Sequence, residues 1–276
     1  MNHKISKYIV WAMMIVLAVG FLFPMYWMVM LSFKDIPEIV LNPFGLPAGW
    51  ELTNYIDALA KMEYWTGLRN SVVYTFGTCA LTLLFGSMAS YAVSRMGWKH
   101  GEKVRSFFML GLLIPIQLVL VPLYTIIFKL GLKGTPFAVI LPYTAFQLPS
   151  TILMLYAFLR GIPRELDEAA RLDGCGSYRV FFNILLPVLK PAMSTRFIMI
   201  FISIWNEYNL ALVLANTNDT RPLTIELNKF FGTLMGIPHW GQIGAAMLLA
   251  SAPVIVMYCL GSSKIENALC AGAILK

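Results

Sequence analysis

Polar and apolar positions in this chain separate into whole segments instead of alternating within single turns. Apolar runs cover about 9 to 32, 70 to 94, 106 to 128, 137 to 159, 192 to 215 and 241 to 262. Each is near the ~20 residues that carry a helix across the hydrocarbon core of a bilayer. Backbone polar groups in such a run are satisfied only if it is helical or part of a closed barrel. Length decides between the two, so the pattern predicts an all-α membrane protein of six transmembrane helices.

The most charged stretch, EAARLDGCGSYRVFFNILLPVLKP from Glu168 to Pro191, lies between the fourth and fifth runs. The preceding residues place Pro163 at a first helical position, put acids in the first turns, and end at Gly174, where a left-handed cap costs least. A short helix is expected there. Leu166, Ala169 and Ala170 recur on one side of it at spacings of three and four, with Arg164, Asp167, Glu168 and Arg171 around it. Ser177 is placed to cap a second helix carrying Tyr178, Phe181, Phe182 and Leu185, which Pro187 and Pro191 are expected to interrupt. Amphipathicity alone fits a solvated hairpin at the membrane surface.

Two further features qualify the spans. In the long polar segment from Lys34 to Arg69, NYIDALAKM reads as a small amphipathic element. Pro115, Pro122, Pro142 and Pro149 fall inside the third and fourth runs, and each removes a backbone hydrogen bond that lipid cannot replace. With Gln117 and Gln147 nearby they fit either a wet translocation route or kinked helices packed in a bundle. Gly77, Thr78, Gly86, Ser87, Ser90 and Ser94 give the second run the small residues of close helix packing.

Composition supports the membrane assignment. Hydrophobic residues make up 58% and charged residues 13% of the 276-residue chain, against roughly 25% charged in soluble domains, and the mean hydropathy is +0.70. The net charge of +7 follows from the tendency of Lys and Arg to remain in cytoplasmic loops, so no nucleic acid is implied. With six crossings and cytoplasmic termini, fourteen of the 21 Lys and Arg fall inside, Arg95, Lys99, Arg160, Arg171 and Arg196 among them. The seven outside include Lys34, Arg69 and Lys229. That bias selects this orientation. The first run is too long for a typical signal-peptide core and lacks an AxA-like cleavage site, which predicts a retained anchor.

Cys79, Cys175, Cys259 and Cys270 form no CxxC pair, and His3, His100 and His239 are scattered, so reduced thiols, no metal and no cofactor are expected. There is no phosphate-cradling GxxxxGK[ST] loop, nor a nucleophile or carboxylate pair for bond chemistry. The one polar interruption in a span is WNEYN. Ser203, Asn206, Glu207 and Asn209 would share adjoining parts of one helical face if the fifth run is continuous. A charge there costs about 2.5 to 3.5 kcal/mol, which ten Phe, Ile, Leu and Val residues offset by roughly 3 to 6 kcal/mol. Such a face must point inward. It could line a path for a polar substrate through amide and carboxylate hydrogen bonds beside Trp205 or Tyr208, or clamp a partner helix.

EAARLDG followed by NILLPVLKP closely resembles the EAA loop of binding-protein-dependent ABC importer permeases. Glu168, Ala169, Ala170, Asp173, Gly174, Ile184, Leu186, Pro187 and Pro191 occupy the matching positions. FPMYWMVMLSF, LRNSVVYTF, SYAVSR, LIPIQLVLVPLY, ILPYTAFQLPSTILML and WNEYNLAL extend the resemblance over nearly the whole chain, toward the carbohydrate-uptake branch and its maltose-type second permease subunit. Cys175 stands where the family commonly has Ala. ALCAGAILK resembles the family's C-terminal segment, although Ser263, Glu266 and Asn267 depart from its usual lead.

The resemblance implies a type I importer permease in which Glu168, Ala169, Ala170, Asp173 and Gly174 belong to a coupling helix seated on an ATP-binding subunit. Implied partners are a homologous second permease, two ATP-binding subunits, an extracytoplasmic solute-binding protein, membrane lipid and a carbohydrate substrate. In the maltose-type pair most sugar contacts come from the other permease. The expected organisation is an N-terminal transmembrane helix at 1–35, an external loop at 36–65, the permease domain at 66–262 and a cytoplasmic tail at 263–276. A channel or ion-gradient-driven transporter using Glu207 as its proton site is the alternative.

Overall fold

The computed structural model describes residues 2–231 and 238–274, with 2–6 and 262–274 as backbone only. Thus Cys270, Ser263, Glu266, Asn267 and the side chains of the C-terminal segment lie outside what it describes. Its long elements are all helices. Among the described residues, five are long and apolar enough to cross a bilayer, and a sixth span results if one bent pair is counted together. The chain divides into two compact units, 1–65 with 226–252 and 66–225 with 253–276.

The first unit begins with α1 (Asn2–Ser32). From Tyr8 to Tyr26 its large apolar side chains are exposed. α2 (Ile36–Leu41) is capped by Asp35, whose side chain accepts from the Glu38 amide. The predicted amphipathic element is α3 (Thr53–Lys61), which turns Ala58 inward. Lys34, expected in an outside loop, is wholly buried and donates Nζ to the carbonyls of Asn42 (2.6 Å) and Gly45 (2.7 Å).

α4 (Tyr64–Arg95) opens the second unit at its third residue and buries a stripe of small and hydroxyl residues. The predicted close packing is present: a Cβ on Gly77 would come within 2.8 Å of Ile140, and one on Gly86 within 2.7 Å of Thr151. Ser90 adds a 3.0 Å hydrogen bond to the Ile152 carbonyl.

The third apolar run is not one straight span. α5 (Gly101–Gly111) and α6 (Ile116–Lys129) are bent by 101°. Pro115 bars Ile114 from helical geometry and stands at ψ 132° as the N-cap of α6. The remaining prolines stay within helices, Pro122 in α6 and Pro142 and Pro149 in α7 (Phe137–Arg160).

α8 (Glu165–Leu172) and α9 (Ser177–Arg179) form the charged loop. Contrary to expectation, Pro187 and Pro191 do not interrupt the second helix. A π-helical segment, Val180–Leu185, joins α9 to α10 (Leu186–Trp205), and its wider turn accommodates the missing donor of Pro187. The expected continuous helix over 192–215 is also corrected: α10 ends at Trp205 and a new helix, α11 (Asn209–Leu214), begins after a break. α12 (Leu223–Glu226) and α13 (Asn228–Phe231) precede α14 (Trp240–Ile274).

Candidate functional site: the charged loop and the mid-span break

The loop is built from its cap outward. α8 starts at Glu165, with Arg164 before it and Pro163 one position further out than predicted. It ends as predicted, with Gly174 at φ +80°. The Cys175 amide reaches back to the Ala170 carbonyl and the Gly174 amide to that of Arg171, both at 3.0 Å. This is the paired bonding of a Schellman end, and it directs Cys175 toward the core.

The two faces of α8 differ sharply. Asp167 and Ala170 are buried, whereas Glu165, Leu166, Glu168, Ala169, Leu172 and Asp173 are exposed. The expected grouping of Ala169 with Ala170 is therefore corrected. Ala170 packs with Leu159, Phe181 and Leu185 beneath the helix, while Ala169 stands outside beside Glu168. A 100° step per residue separates neighbours, so one of an Ala pair goes to each face.

One residue missed in the sequence holds this arrangement. Arg95, the last residue of α4, is buried to 9% exposure. Its Nη1 donates to Asp167 Oδ2 at 3.2 Å, and Nη2 donates to the carbonyls of Leu159 and, at 2.6 Å, Ile162. The guanidinium thus closes the C-terminal end of α7, where carbonyls lack helical partners, and pairs with the inward carboxylate of α8. No local spacing announces a pair 72 positions apart.

The candidate span in this region runs from Ser177 to Trp205, so WNEYN lies at its end and not at its middle as the run 192–215 predicted. At the break that follows, the carboxylate of Glu207 turns back into its own subunit. Oε1 accepts from the Leu210 amide (2.9 Å), and Oε2 accepts from the Ala211 amide (3.1 Å) and the Tyr143 hydroxyl (2.6 Å). The first-turn donors of α11 have no partner within the helix, and Glu207 supplies one. Thr224 Oγ1 donates to the Glu207 carbonyl at 3.1 Å.

The other predicted polar residues are exposed and do not share a continuous helical face. Ser203 accepts from Gln147 Nε2 at 2.9 Å, Asn206 donates back to the Ile202 carbonyl at 2.8 Å, and Asn209 opens α11. Arg196, counted with the cytoplasmic charges although it falls in the fifth run, is buried in the middle of α10. It donates to Gln147 Oε1 (2.6 Å), Ser150 Oγ (2.6 Å) and Thr151 Oγ1 (2.8 Å) of α7. No carboxylate pairs with it among the described residues.

The apolar spans, the capped charged loop and the broken fifth helix define a polytopic permease subunit. Residues 82–263 match the family described as "Binding-protein-dependent transport system inner membrane component", and the chain belongs to that family. It is 32% identical over 261 residues to the diacetylchitobiose uptake system permease protein NgcG of Streptomyces coelicolor, covering 95% of this chain and 86% of that one. It is 32% identical over 263 residues to the trehalose/maltose transport system permease protein MalG of Thermococcus litoralis, covering 94% of each. A solved bacterial ABC transporter chain involved in alginate import has the same fold, with a TM-score of 0.83 at 21% identity over 94% of this chain and 96% of that one.

Proposed function

We propose that this chain is a permease subunit of an ATP-driven importer for a sugar or oligosaccharide. It catalyses no bond chemistry, and it forms a path with a second, homologous permease fed by an extracytoplasmic solute-binding protein. The substrate class is supported by relatives named for diacetylchitobiose uptake and for trehalose/maltose transport, matched over 95% and 94% of this chain. The observation that carries the coupling role is the exposed face of α8, with Glu168, Ala169 and Leu172 held outward on a capped and buried base. Glu168 offers a charge-assisted hydrogen bond to an ATP-binding subunit. Ala169 allows close approach, and Asp173 with Gly174 sets the exit angle.

In this reading 66–262 is the permease domain, the segments 1–35 and 36–65 are its anchor and external loop, and 263–276 is a cytoplasmic tail. Both termini are cytoplasmic. Ser203, Asn206 and Asn209 face the substrate path or the second permease, and Glu207 supports them from behind. A proton-driven mechanism through Glu207 is disfavoured because both of its oxygens accept hydrogen bonds within the subunit.

Site-directed labelling tests orientation and docking together. In a background without the native cysteines, Leu172→Cys should resist an impermeant external thiol reagent yet crosslink to the ATP-binding subunit. Asp219→Cys should react from outside. External labelling at position 172, or no crosslink in an assembled and active importer, would overturn the assignment.

A further inference from the structure

We infer that Arg95 is the positioning residue of the coupling loop, the group through which the ends of α4 and α7 set the angle of α8. The inference rests on the coupling role proposed above and adds residues that face away from the docking surface. The side chains of Arg95 and Asp167 are only 2% and 9% exposed, so solvent does little to screen the pair. A guanidinium is a planar fork with fixed donor directions. Two of its nitrogens reach three elements: α4 carries it, α7 supplies the Leu159 carbonyl and the carbonyl of Ile162 just beyond its end, and α8 supplies Asp167.

The apolar contacts around this ion pair do not by themselves fix the angle of α8. Its inward face has eight residues' length and presents only Asp167 and Ala170 as buried groups. Ala170 is small, and the other apolar contacts, Ile162 before α8 and Cys175 after it, lie outside the helix and leave it room to rock about its axis. Asp167 is the second point of attachment. Its Oδ1 is buried with no hydrogen-bond partner, so the 3.2 Å bond from Arg95 to Oδ2 is the polar tie that the described structure provides for this carboxylate. Movement of α7 or α4 relative to the loop must pull on this tie, and movement of α8 by an ATP-binding subunit must pull on the two spans.

The test uses the whole importer with Leu172→Cys as a docking reporter and compares Asp167→Asn with Arg95→Lys. Asn is isosteric but uncharged; Lys keeps the charge but cannot hold carbonyls and carboxylate in a fork. Both variants should still crosslink at position 172, while the ratio of substrate-stimulated to basal ATP hydrolysis falls about tenfold, within the usual range for coupling between distant sites. A wild-type ratio in both variants would overturn the inference. So would reduced yield of complexes that each retain the wild-type ratio, because the pair would then be only structural. If Arg95→Lys does not assemble, Asp167→Asn decides alone. Absence of the crosslink in the reporter background itself would remove the coupling role, and with it the positioning role of Arg95, leaving the Arg95–Asp167 pair as a structural tie.

Discussion

The loop end and the break after α10 each turn a carboxylate inward, and they hold it by different means. At the loop, Asp167 meets the guanidinium of Arg95 from another helix. At the break, Glu207 is held mainly by two amides of the helix that follows it and by Tyr143 of α7. A long-range ion pair fixes one element against others, whereas a local cap stabilises a change of chain direction. The loop end is thus organised to hold one face of α8 outward, the face proposed above to dock on an ATP-binding subunit. The break is organised to hold Ser203, Asn206 and Asn209 at an exposed surface without a free charge among them.

The largest effect that would break this contrast is expected at Gly174. Its φ of +80° is inaccessible to proline, which is locked near −65°, and the Gly174 amide also donates to the Arg171 carbonyl. Gly174→Pro should lose both the left-handed turn and the bond and misdirect α8 as a whole. Uptake and stimulated ATP hydrolysis should both fall to near background while the spans remain inserted. Normal ATP hydrolysis coupled to uptake would show that the loop's exit angle is unimportant.

A smaller effect sharpens the other side. Glu207→Gln replaces one acceptor oxygen by a donor facing the amides and hydroxyl that now point at it. Leaving a buried donor unsatisfied costs about 1 to 3 kcal/mol, or roughly 5-fold to 150-fold in the affected equilibrium at ~1.4 kcal/mol per tenfold. That loss should appear in the yield and thermal stability of the assembled complex. Asn206→Ala removes an exposed amide that bonds only to its own helix, so yield should hold while uptake per complex changes if this surface faces the path. Measuring yield and uptake per complex for both variants separates the roles. Unchanged yield with reduced uptake in Glu207→Gln would reassign the carboxylate to the path.

The contrast also explains which parts of the molecule were legible in the sequence. The α8 cap was readable because it is local, with acids at the start and Gly174 at the end, but the apolar grouping was not, since Leu166 and Ala169 face outward while Ala170 packs inward. Length and apolarity made the helical spans readable but not the 101° bend in the third run or the end of the fifth at Trp205. Pro115 and Pro122 look alike in the chain, yet only the first lies at a break, since the tertiary setting decides whether a helix can carry the lost bond. Glu207 was visible as an intramembrane charge, but Tyr143 lies 64 positions away, and a break created by a cap cannot be separated from a continuous helix by hydropathy. Arg196 was misplaced for the same reason: counting charges by loop gives no sign that α7 supplies four oxygens to a guanidinium inside the bundle.

Arg196 offers the smallest predicted effect, and it tests whether burial of a charge by itself implies a structural role. Arg95 and Glu207 hold elements that would otherwise separate. Arg196 joins α10 to α7, but its partners have other bonds: Thr151 Oγ1 also donates to the Gln147 carbonyl at 2.7 Å, and Ser150 Oγ to the same carbonyl at 3.2 Å. The desolvation cost of the guanidinium disappears with the charge. No carboxylate pairs with Arg196 among the described residues, so its removal strands no opposite charge, the term that makes breaking a buried ion pair costly. Arg196→Met should therefore leave assembly and thermal stability nearly unchanged, within about 1 kcal/mol. Its remaining consequence falls on Gln147, whose Oε1 loses a 2.6 Å donor while its Nε2 faces Ser203. The freed amide can rotate, so any change belongs in uptake per complex and not in yield. A destabilisation of several kcal/mol would instead place Arg196 with Arg95 as a fixed joint between spans, and the distinction between local and long-range satisfaction would need a third class.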